Sequence, residues 1–479
     1  NTKGHHQWFY FKVKNRRPTT VKFNIVNFTK RDSVYNQGMR VNYMSENLNK
    51  KTGTEKWRKT GAGIRYSMSR ITRDAMKEGK RSKLYQSLTF EHTFETANDT
   101  TSFAYSIPYS FTKLTNSLQN ILIERNREDE RVKQSVFCKS LSGVDVPLLT
   151  ITNFQNHDPR KKRYAIITGR VHPGETVGSW MMEGFIDWIT KDSPKAKRLR
   201  DNVIFKVVPM LNPDGVLGGN YRTSFSGDDL NRKFEDPDGR LHPTVCAVKE
   251  MISSILKEHS EPIDPHKIIS FVDMHGHSRK KSVFMYGPYH PLHSERYLRM
   301  RVIPKLMSQK TLMFRYWSCK FRVEKSKRKA ARLVLWKEFN ICNSYTLESS
   351  FHGYINEERE TIEFGEQNLK GMGAYLGHSL NEYVTMLEDE LKMKAERRQE
   401  RLLKRRRESL RLEEQSNFSN SDNEMISKPT STKNTKKLTS GKFEQGSQSG
   451  KMESPAAESL DVSDVSDSSS QDEQAEGSS

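Results

Sequence analysis

Only four cysteines, Cys138, Cys246, Cys319 and Cys342, occur in 479 residues, and none share CxxC spacing. That is too few for a disulfide framework and fits a reducing compartment, so a cytoplasmic protein is expected. Long apolar runs are also missing. No stretch approaches the roughly 20 residues that span a bilayer, and no signal-peptide apolar core is visible. The chain opens on Asn1 instead of methionine, which leads us to expect an upstream segment in the parent protein. Acidic residues are in deficit, with 59 Asp and Glu against 80 Lys and Arg, for a formal net charge of +21. This balance favours acidic partners (nucleic acid, anionic membrane or acidic protein) without choosing among them. Hydrophobic residues make up only 34% of the chain. The shortfall sits mainly at the C-terminus, where a packed core is not expected.

What is present falls into three parts. Residues 1–109 carry short aromatic or alternating runs, HQWFYFKVKN, TVKFNIVNF, YQSLTFEHTF and SFAYSIPYSF, between polar turns, and these predict an antiparallel β domain. Over residues 110–390, apolar strands (LLTITNF, RYAIITGRV, NVIFKVVPML, KIISFVDMHG, NSYTLESS) alternate with helical stretches such as TVGSWMMEGFIDWIT and PTVCAVKEMISSILKEH. That alternation predicts an α/β fold, a parallel or mixed sheet flanked by helices, in which chemistry gathers at strand ends. Residues 391–479 form the third part. The stretch LEDELKMKAERRQERLLKRRRESLRLEE, from about 385, reads as a solvated helix or an interaction arm, and the Ser-, Asp- and Glu-rich remainder is expected to be disordered.

Chemistry is first signalled by RVHPGE, which puts His172 and Glu175 three positions apart after the apolar run YAIITG. A catalytic zinc needs three protein ligands and an open position. The third should come from another strand end, and FVDMHGH offers Asp273, His275 and His277; spacing alone allows either histidine. In a chain with 14 histidines, one His-x-x-Glu pair fits a polar turn equally well. Charged groups recur, however, at successive strand ends: NPDGV, NYR, DDLNR and TLE. Burying them without a shared purpose would be costly. NPDG is itself a turn sequence, so Asn212 and Asp214 are read as structural.

Taken in order, HPGE, LNPDGV, GNYR, DLNR, LHPT, DMHGHS, FMYG and SYTLESS resemble the cytosolic carboxypeptidase subfamily of zinc metallocarboxypeptidases, which trim glutamates from tubulin and other acidic tails. The front runs HQWFYFKV, FNIVNF and FAYSIPYSF resemble the β-sandwich domain preceding the peptidase domain in that subfamily. The resemblance implies one zinc per chain, held by His172, Glu175 and His275. It implies Glu348 as general base, passing its proton to the leaving amine, and Arg222 as the group that polarises the scissile carbonyl. Asn231 and Arg232 would clasp the substrate's terminal carboxylate, a task suited to the guanidinium fork. A basic pocket would select a terminal glutamate. Arg332, and after it Lys327, are the expected anchors, with Arg332 just ahead of a short apolar strand.

Acidic protein tails, glutamylated tubulin above all, are the partners implied, and neither nucleic acid nor membrane; cytoplasm, microtubules and cilia are the implied locations. Two features depart from the pattern. No tyrosine precedes Arg332, where EKSKRK stands, and His352 occupies a position where relatives often have cysteine. Two other readings compete: a zinc amidohydrolase of small acylated amino acids, and a non-catalytic basic protein that binds microtubules or nucleic acid. A small substrate would not require the β domain and basic cleft, and a scaffold would not require intact ligands plus base.

Overall fold

The computed structural model describes residues 4–73, 83–125, 130–155, 161–258 and 266–424. Its first compact unit spans Asn1–Gln399 and its second Glu400–Ser479.

Seven strands build the front region: β1 (Tyr10–Lys14), β2 (Thr19–Phe28), β3 (Val41–Ser45), β4 (Arg58–Thr60), β5 (Ala62–Thr72), β6 (Leu84–Phe94) and β7 (Thr100–Ala104), with one short helix, α1 (Glu46–Thr52), after β3. They pair antiparallel in two sheets, ordered β1-β7-β3-β4 and β2-β6-β5. The alternation seen in the sequence sets which side chains meet between the sheets. Phe11 and Phe103 from one sheet meet Phe23 from the other at ring-centroid distances of 5.7 and 5.1 Å, and Phe23 stacks on Phe90 at 5.1 Å.

Helix α2 (Phe111–Arg125) leads into the second region, whose strands are β8 (Val132–Lys139), β9 (Asp145–Ile151), β10 (Arg163–Gly169), β11 (Val203–Val208), β12 (Ile268–His277), β13 (Val283–Gly287), β14 (Lys320–Phe321) and β15 (Ser344–Ser350). Between them run α3 (Thr176–Thr190), α4 (Pro194–Asn202), α5 (Pro213–Leu217), α6 (Pro243–Lys257), α7 (Glu295–Lys310) and α8 (Ala331–Phe339). The eight strands form one mixed sheet, ordered β14-β13-β15-β12-β10-β11-β9-β8. Its middle, β11-β10-β12-β15, is parallel. These strands are apolar runs because helices cover both faces. A hairpin, β16 (Gly353–Ile355) with β17 (Thr361–Glu363), precedes the last helix, α9 (Glu366–Glu424).

The chain leaves β10 for β11 on one side and returns to β12 on the other, so the C-terminal ends of β10 and β12 form a switch point. Ligands bind at such a crevice in open α/β sheets.

Two elements differ from the sequence expectation. The short apolar run after Arg332, expected as a strand, lies instead within helix α8, which takes in Arg332 and is ended by Asn340 at φ 57°. A short apolar run does not by itself distinguish strand from buried helix, and Ala, Arg, Leu, Lys and Glu favour the helix. The charged helix expected from about 385 begins at Glu366. Its first turns bury Leu369, Met372, Leu376, Leu380, Tyr383 and Leu387, a three-four spacing that makes one apolar face. The helix includes SNFSNSDNE at its end, and residues 425–479, expected to be disordered, lie outside the described residues.

Candidate metal centre and substrate cleft

His172 and Glu175 occupy the turn between β10 and α3. The turn is shaped by Arg170, at φ 58°, and by Gly174, whose N–H donates to the Tyr221 carbonyl at 2.8 Å. A Cβ on Gly174 would lie 2.5 Å from the Tyr221 ring, so no larger residue fits there. Arg170 is buried and donates to the Pro173 carbonyl, the Tyr109 carbonyl and Ser179 Oγ, which ties the turn to its surroundings.

His275, near the end of β12, completes a buried cluster. Its Nδ1 lies 3.1 Å from His172 Nδ1 and 2.9 Å from Glu175 Oε2, while His172 Nδ1 is 2.9 Å from Glu175 Oε1. The opposite nitrogens face carboxylates: His172 Nε2 to Asp229 at 3.0 Å and His275 Nε2 to Asp273 at 2.5 Å. A carboxylate facing Nε2 holds the proton there, leaving both Nδ1 lone pairs and Glu175 turned inward on one another. This donor set fits a divalent ion such as zinc, with the carboxylate–imidazole arrangement that supports metal-binding histidines. The electrostatics call for positive charge at the same place. Burial works to raise the Glu175 carboxyl, but the two imidazoles hold it well below the usual range. Burial works to lower His275, but Asp273 and Glu175 hold it well above. Among the described residues His172, Glu175 and His275 are the group with metal-holding geometry. His277 is not part of it. Its Nδ1 accepts from the Lys280 N–H at 3.1 Å, within its own turn.

Glu348 lies on β15 directly beside His275 in the parallel pairing of β12 with β15. Burial pushes its carboxyl up, and Glu175 adds to this against the pull of His275. Arg222 donates from Nε to Asp229 at 2.7 Å and reaches within 3.9 Å of Glu175. Burial works to lower it, and these two carboxylates more than offset that.

Asn231 and Arg232 follow on a short 3-10 turn, Leu230–Arg232, capped by Asp229. The Asn231 amide oxygen accepts from the Ala331 N–H at 2.9 Å, which brings the start of α8 to the cleft. Arg332 is thereby buried, 6% exposed, with its guanidinium 5.5 Å from the Tyr286 ring. Its Nε has no hydrogen-bond partner, and no carboxylate lies within ion-pairing distance among the described residues. Lys327, in the 3-10 turn Lys325–Lys327, is half-buried; burial lowers it, as do Arg232 and Arg222.

Three residues of this site were not found by sequence reasoning. Asp229 bridges His172, Arg222 and the Asn231 N–H. DDLNR contained it, but the adjacent Asp228 instead faces His242 at 3.0 Å, and the motif does not say which does which. Arg170 carried no signal beyond its place before His172. Lys30, which donates from Nζ to the Tyr221 hydroxyl at 2.6 Å, comes from the β domain, in a polar turn with nothing to connect it to a cleft.

Asn212 caps α5 by accepting from the Gly215 N–H at 2.9 Å, and Asp214 accepts from Ser140 Oγ at 2.6 Å. All four cysteines are free thiols, and no described helix is long and apolar enough to cross a membrane.

Residues 119–298 match the family model described as zinc carboxypeptidase. Cytosolic carboxypeptidase 2 of Danio rerio is 39% identical over 376 residues, covering 78% of this chain and 50% of its own length. Cytosolic carboxypeptidase 1 of Mus musculus is 36% identical over 397 residues, covering 78% and 32%. The chain thus spans a third to a half of the length of these relatives. A metallo-carboxypeptidase of Pseudomonas aeruginosa, solved with (2-guanidinoethylmercapto)succinic acid, has the same fold, with TM-score 0.60 and 22% identity over 80% of this chain and 90% of that one. A metallo-carboxypeptidase of Burkholderia cenocepacia superposes with TM-score 0.59 at 22% identity over the same shares. Residues 119–298 thus form a zinc carboxypeptidase domain, in a chain related to the cytosolic carboxypeptidases.

Proposed function

We propose that this chain is a zinc-dependent metallocarboxypeptidase that removes glutamates from acidic protein tails, glutamylated tubulin among them, in the cytoplasm and at microtubules or cilia. The observation that carries the specificity is Arg332, a buried guanidinium with no carboxylate in ion-pairing distance among the described residues, close enough to Glu348 to be acted on by its charge. A buried cation without a direct ion-pair partner is costly, and an anionic ligand relieves that cost beyond the more distant pull of Glu348 and Glu324. A glutamate side chain is such a ligand.

His172, Glu175 and His275 would hold the ion, which when bound would polarise the scissile carbonyl and lower the pKa of water towards about 7. Arg232 and the Asn231 amide grip the terminal carboxylate, and Arg332, with Lys327 at the rim, takes the glutamate side chain. Glu348 accepts the proton from the attacking water and passes it to the leaving amine, a transfer helped by a carboxyl raised from its ordinary value. Arg222, held in place by Asp229, stabilises the negative charge that develops on the carbonyl oxygen.

The test is to incubate purified protein with glutamylated and unmodified tubulin, with and without a zinc chelator, and to identify released amino acids by mass spectrometry. Glutamate released from the modified protein, abolished by chelation and restored by zinc, is expected. Release of neutral residues only, or none with zinc present, would overturn the reading.

A further inference from the structure

Helix α9 runs past its buried face into a stretch that the carboxypeptidase reading leaves unused. Residues 392–412, KMKAERRQERLLKRRRESLRL, are exposed throughout and hold ten Lys and Arg against three Glu. An exposed helix is ordinarily steadied by opposite charges three or four positions apart. Here Arg401 has Arg397 and Arg398 before it, and Lys404 and Arg405 after it, at those spacings. Like charges so placed repel and weaken the helix.

At 3.6 residues per turn, Arg397, Arg398, Arg401, Lys404 and Arg405 share an arc of about 120° on the helix surface, and Glu396 and Glu400 fall outside it. The stripe is about 12 Å long, the rise of its eight steps. An extended chain covers that length in about four residues. Among the described residues none of the five has a carboxylate within ion-pairing distance, whereas Lys394, one turn earlier, is paired with Glu390 at 2.5 Å and Glu295 at 3.4 Å.

Acidic protein, nucleic acid and anionic membrane all carry the charge to meet such a stripe. On the opposite surface of the helix, Gln399 and Arg406 stand among Leu402, Leu403 and Leu410, and this breaks the continuous apolar face that a membrane-surface helix needs. No aromatic residue occurs between Tyr383 and Phe418, so the stacking that accompanies single-stranded nucleic acid binding is missing. An acidic protein segment requires neither, and it is the chemistry that a basic cleft selects.

We propose that the basic stripe of α9, from Arg397 to Arg405, is a docking surface for an acidic segment of the same protein whose tail enters the cleft. A second contact on one substrate raises its effective concentration at the metal without altering the chemistry there. This rests on the carboxypeptidase reading above and adds to it a preference for whole acidic proteins over short peptides.

The test compares two variants of the full chain, loaded with zinc, with the wild type on glutamylated tubulin and on a short peptide ending Glu-Glu. Arg398→Gln, Arg401→Gln and Arg405→Gln together remove three charges from the stripe. Arg406→Gln, Arg407→Gln and Arg411→Gln remove the same charge from outside the arc. Glutamine is a good helix former, so both variants should keep the helix, which far-UV circular dichroism checks. The stripe variant should lose about tenfold in kcat/KM on tubulin, through KM, and nothing on the peptide. The other should stay within about threefold of the wild type on both. The wild-type advantage on tubulin should also shrink as salt is raised. Equal losses on tubulin in the two variants, equal losses on both substrates, or no loss would overturn the docking surface. Should tubulin not be cut, the reading above loses its substrate, and the dissociation constants of the three proteins for poly-L-glutamate decide: a loss confined to the stripe variant keeps the surface, and equal values reject it. Tighter wild-type binding to duplex RNA or to phosphatidylserine vesicles than to either acidic probe, lost in the stripe variant, would overturn it in favour of another polyanion.

Discussion

Glu348 and Asp229 differ in what they do for the same three ligands, and substitutions should separate them. Glu348 touches neither imidazole by hydrogen bond, so Glu348→Gln should leave metal stoichiometry intact while turnover falls by about a thousandfold or more, since the general base is lost and the Lewis acid remains. Undiminished glutamate release from that variant would remove Glu348 from the role. Asp229 instead holds His172 Nε2 and Arg222 Nε at once. Asp229→Asn should weaken metal affinity by about 10- to 100-fold, measured by competition with a chelator, because the buried imidazole loses its orienting carboxylate. The sequence carried the ligands in HPGE and DMHGH, each beside an apolar strand. It did not carry Asp229 or Lys30, whose roles follow from contacts 57 and 191 residues away in the chain. Lys59 makes a separate prediction. Burial lowers it to about 8, although Glu363 opposes the shift. Between about 8 and the ordinary 10.5 the unfolded chain binds more protons there, so stability rises with pH across that window. Urea midpoints at pH 7.5 and 9.5 should therefore differ less in Lys59→Met than in the wild type.

Helices α3 and α9 approach closely enough that glycine is required on both. A Cβ on Gly184 would lie 2.0 Å from the Lys370 carbonyl oxygen, and one on Gly373 would lie 1.9 Å from that of Met181. Backbone cannot yield there as a flexible side chain would. Gly373→Ala should cost about 1–3 kcal/mol by overpacking, seen as a lower urea midpoint. It should also lower metal affinity, because α3 begins immediately after Glu175. Gly371, where an added Cβ meets nothing within 4 Å, is the control: Gly371→Ala should be neutral or stabilising. The interleaved strands and helices of the catalytic region were legible because short continuous apolar runs, buried on both faces, alternate with longer segments of helical character. The start of α9 was not, because its apolar face runs directly into a highly charged continuation that dominates the composition. Helix α8 was read as a strand for the opposite reason, being too short for its period to show.

Across the first compact unit, the β domain supports the metal site by packing as well as by supplying Lys30. Tyr105, just after β7, is fully buried and meets the Phe351 ring edge-on at a centroid distance of 5.0 Å. Phe351 in turn fills the space over Gly276, where an added Cβ would lie 2.6 Å from its ring, and Gly276 follows His275 directly. The Gly276 N–H donates to Glu175 Oε2 at 2.9 Å, so this packing chain ends on two of the three ligands. Ser106 and Thr176 hydrogen-bond at 2.8 Å beside it, and Arg40 pairs with Glu363 through Nε at 3.1 Å and Nη2 at 2.6 Å. The Arg40 pair is half-exposed and worth little, about 0.5 kcal/mol; the buried aromatic contact carries more. Tyr105→Ala should cost about 3–5 kcal/mol through the cavity it opens. In protein that remains folded it should also weaken metal binding, because Phe351 can then drop away from Gly276. A variant with the expected loss of stability but an unchanged metal dissociation constant would confine Tyr105 to the core and leave the Ser106–Thr176 hydrogen bond as the β domain's tie to the turn that carries Glu175.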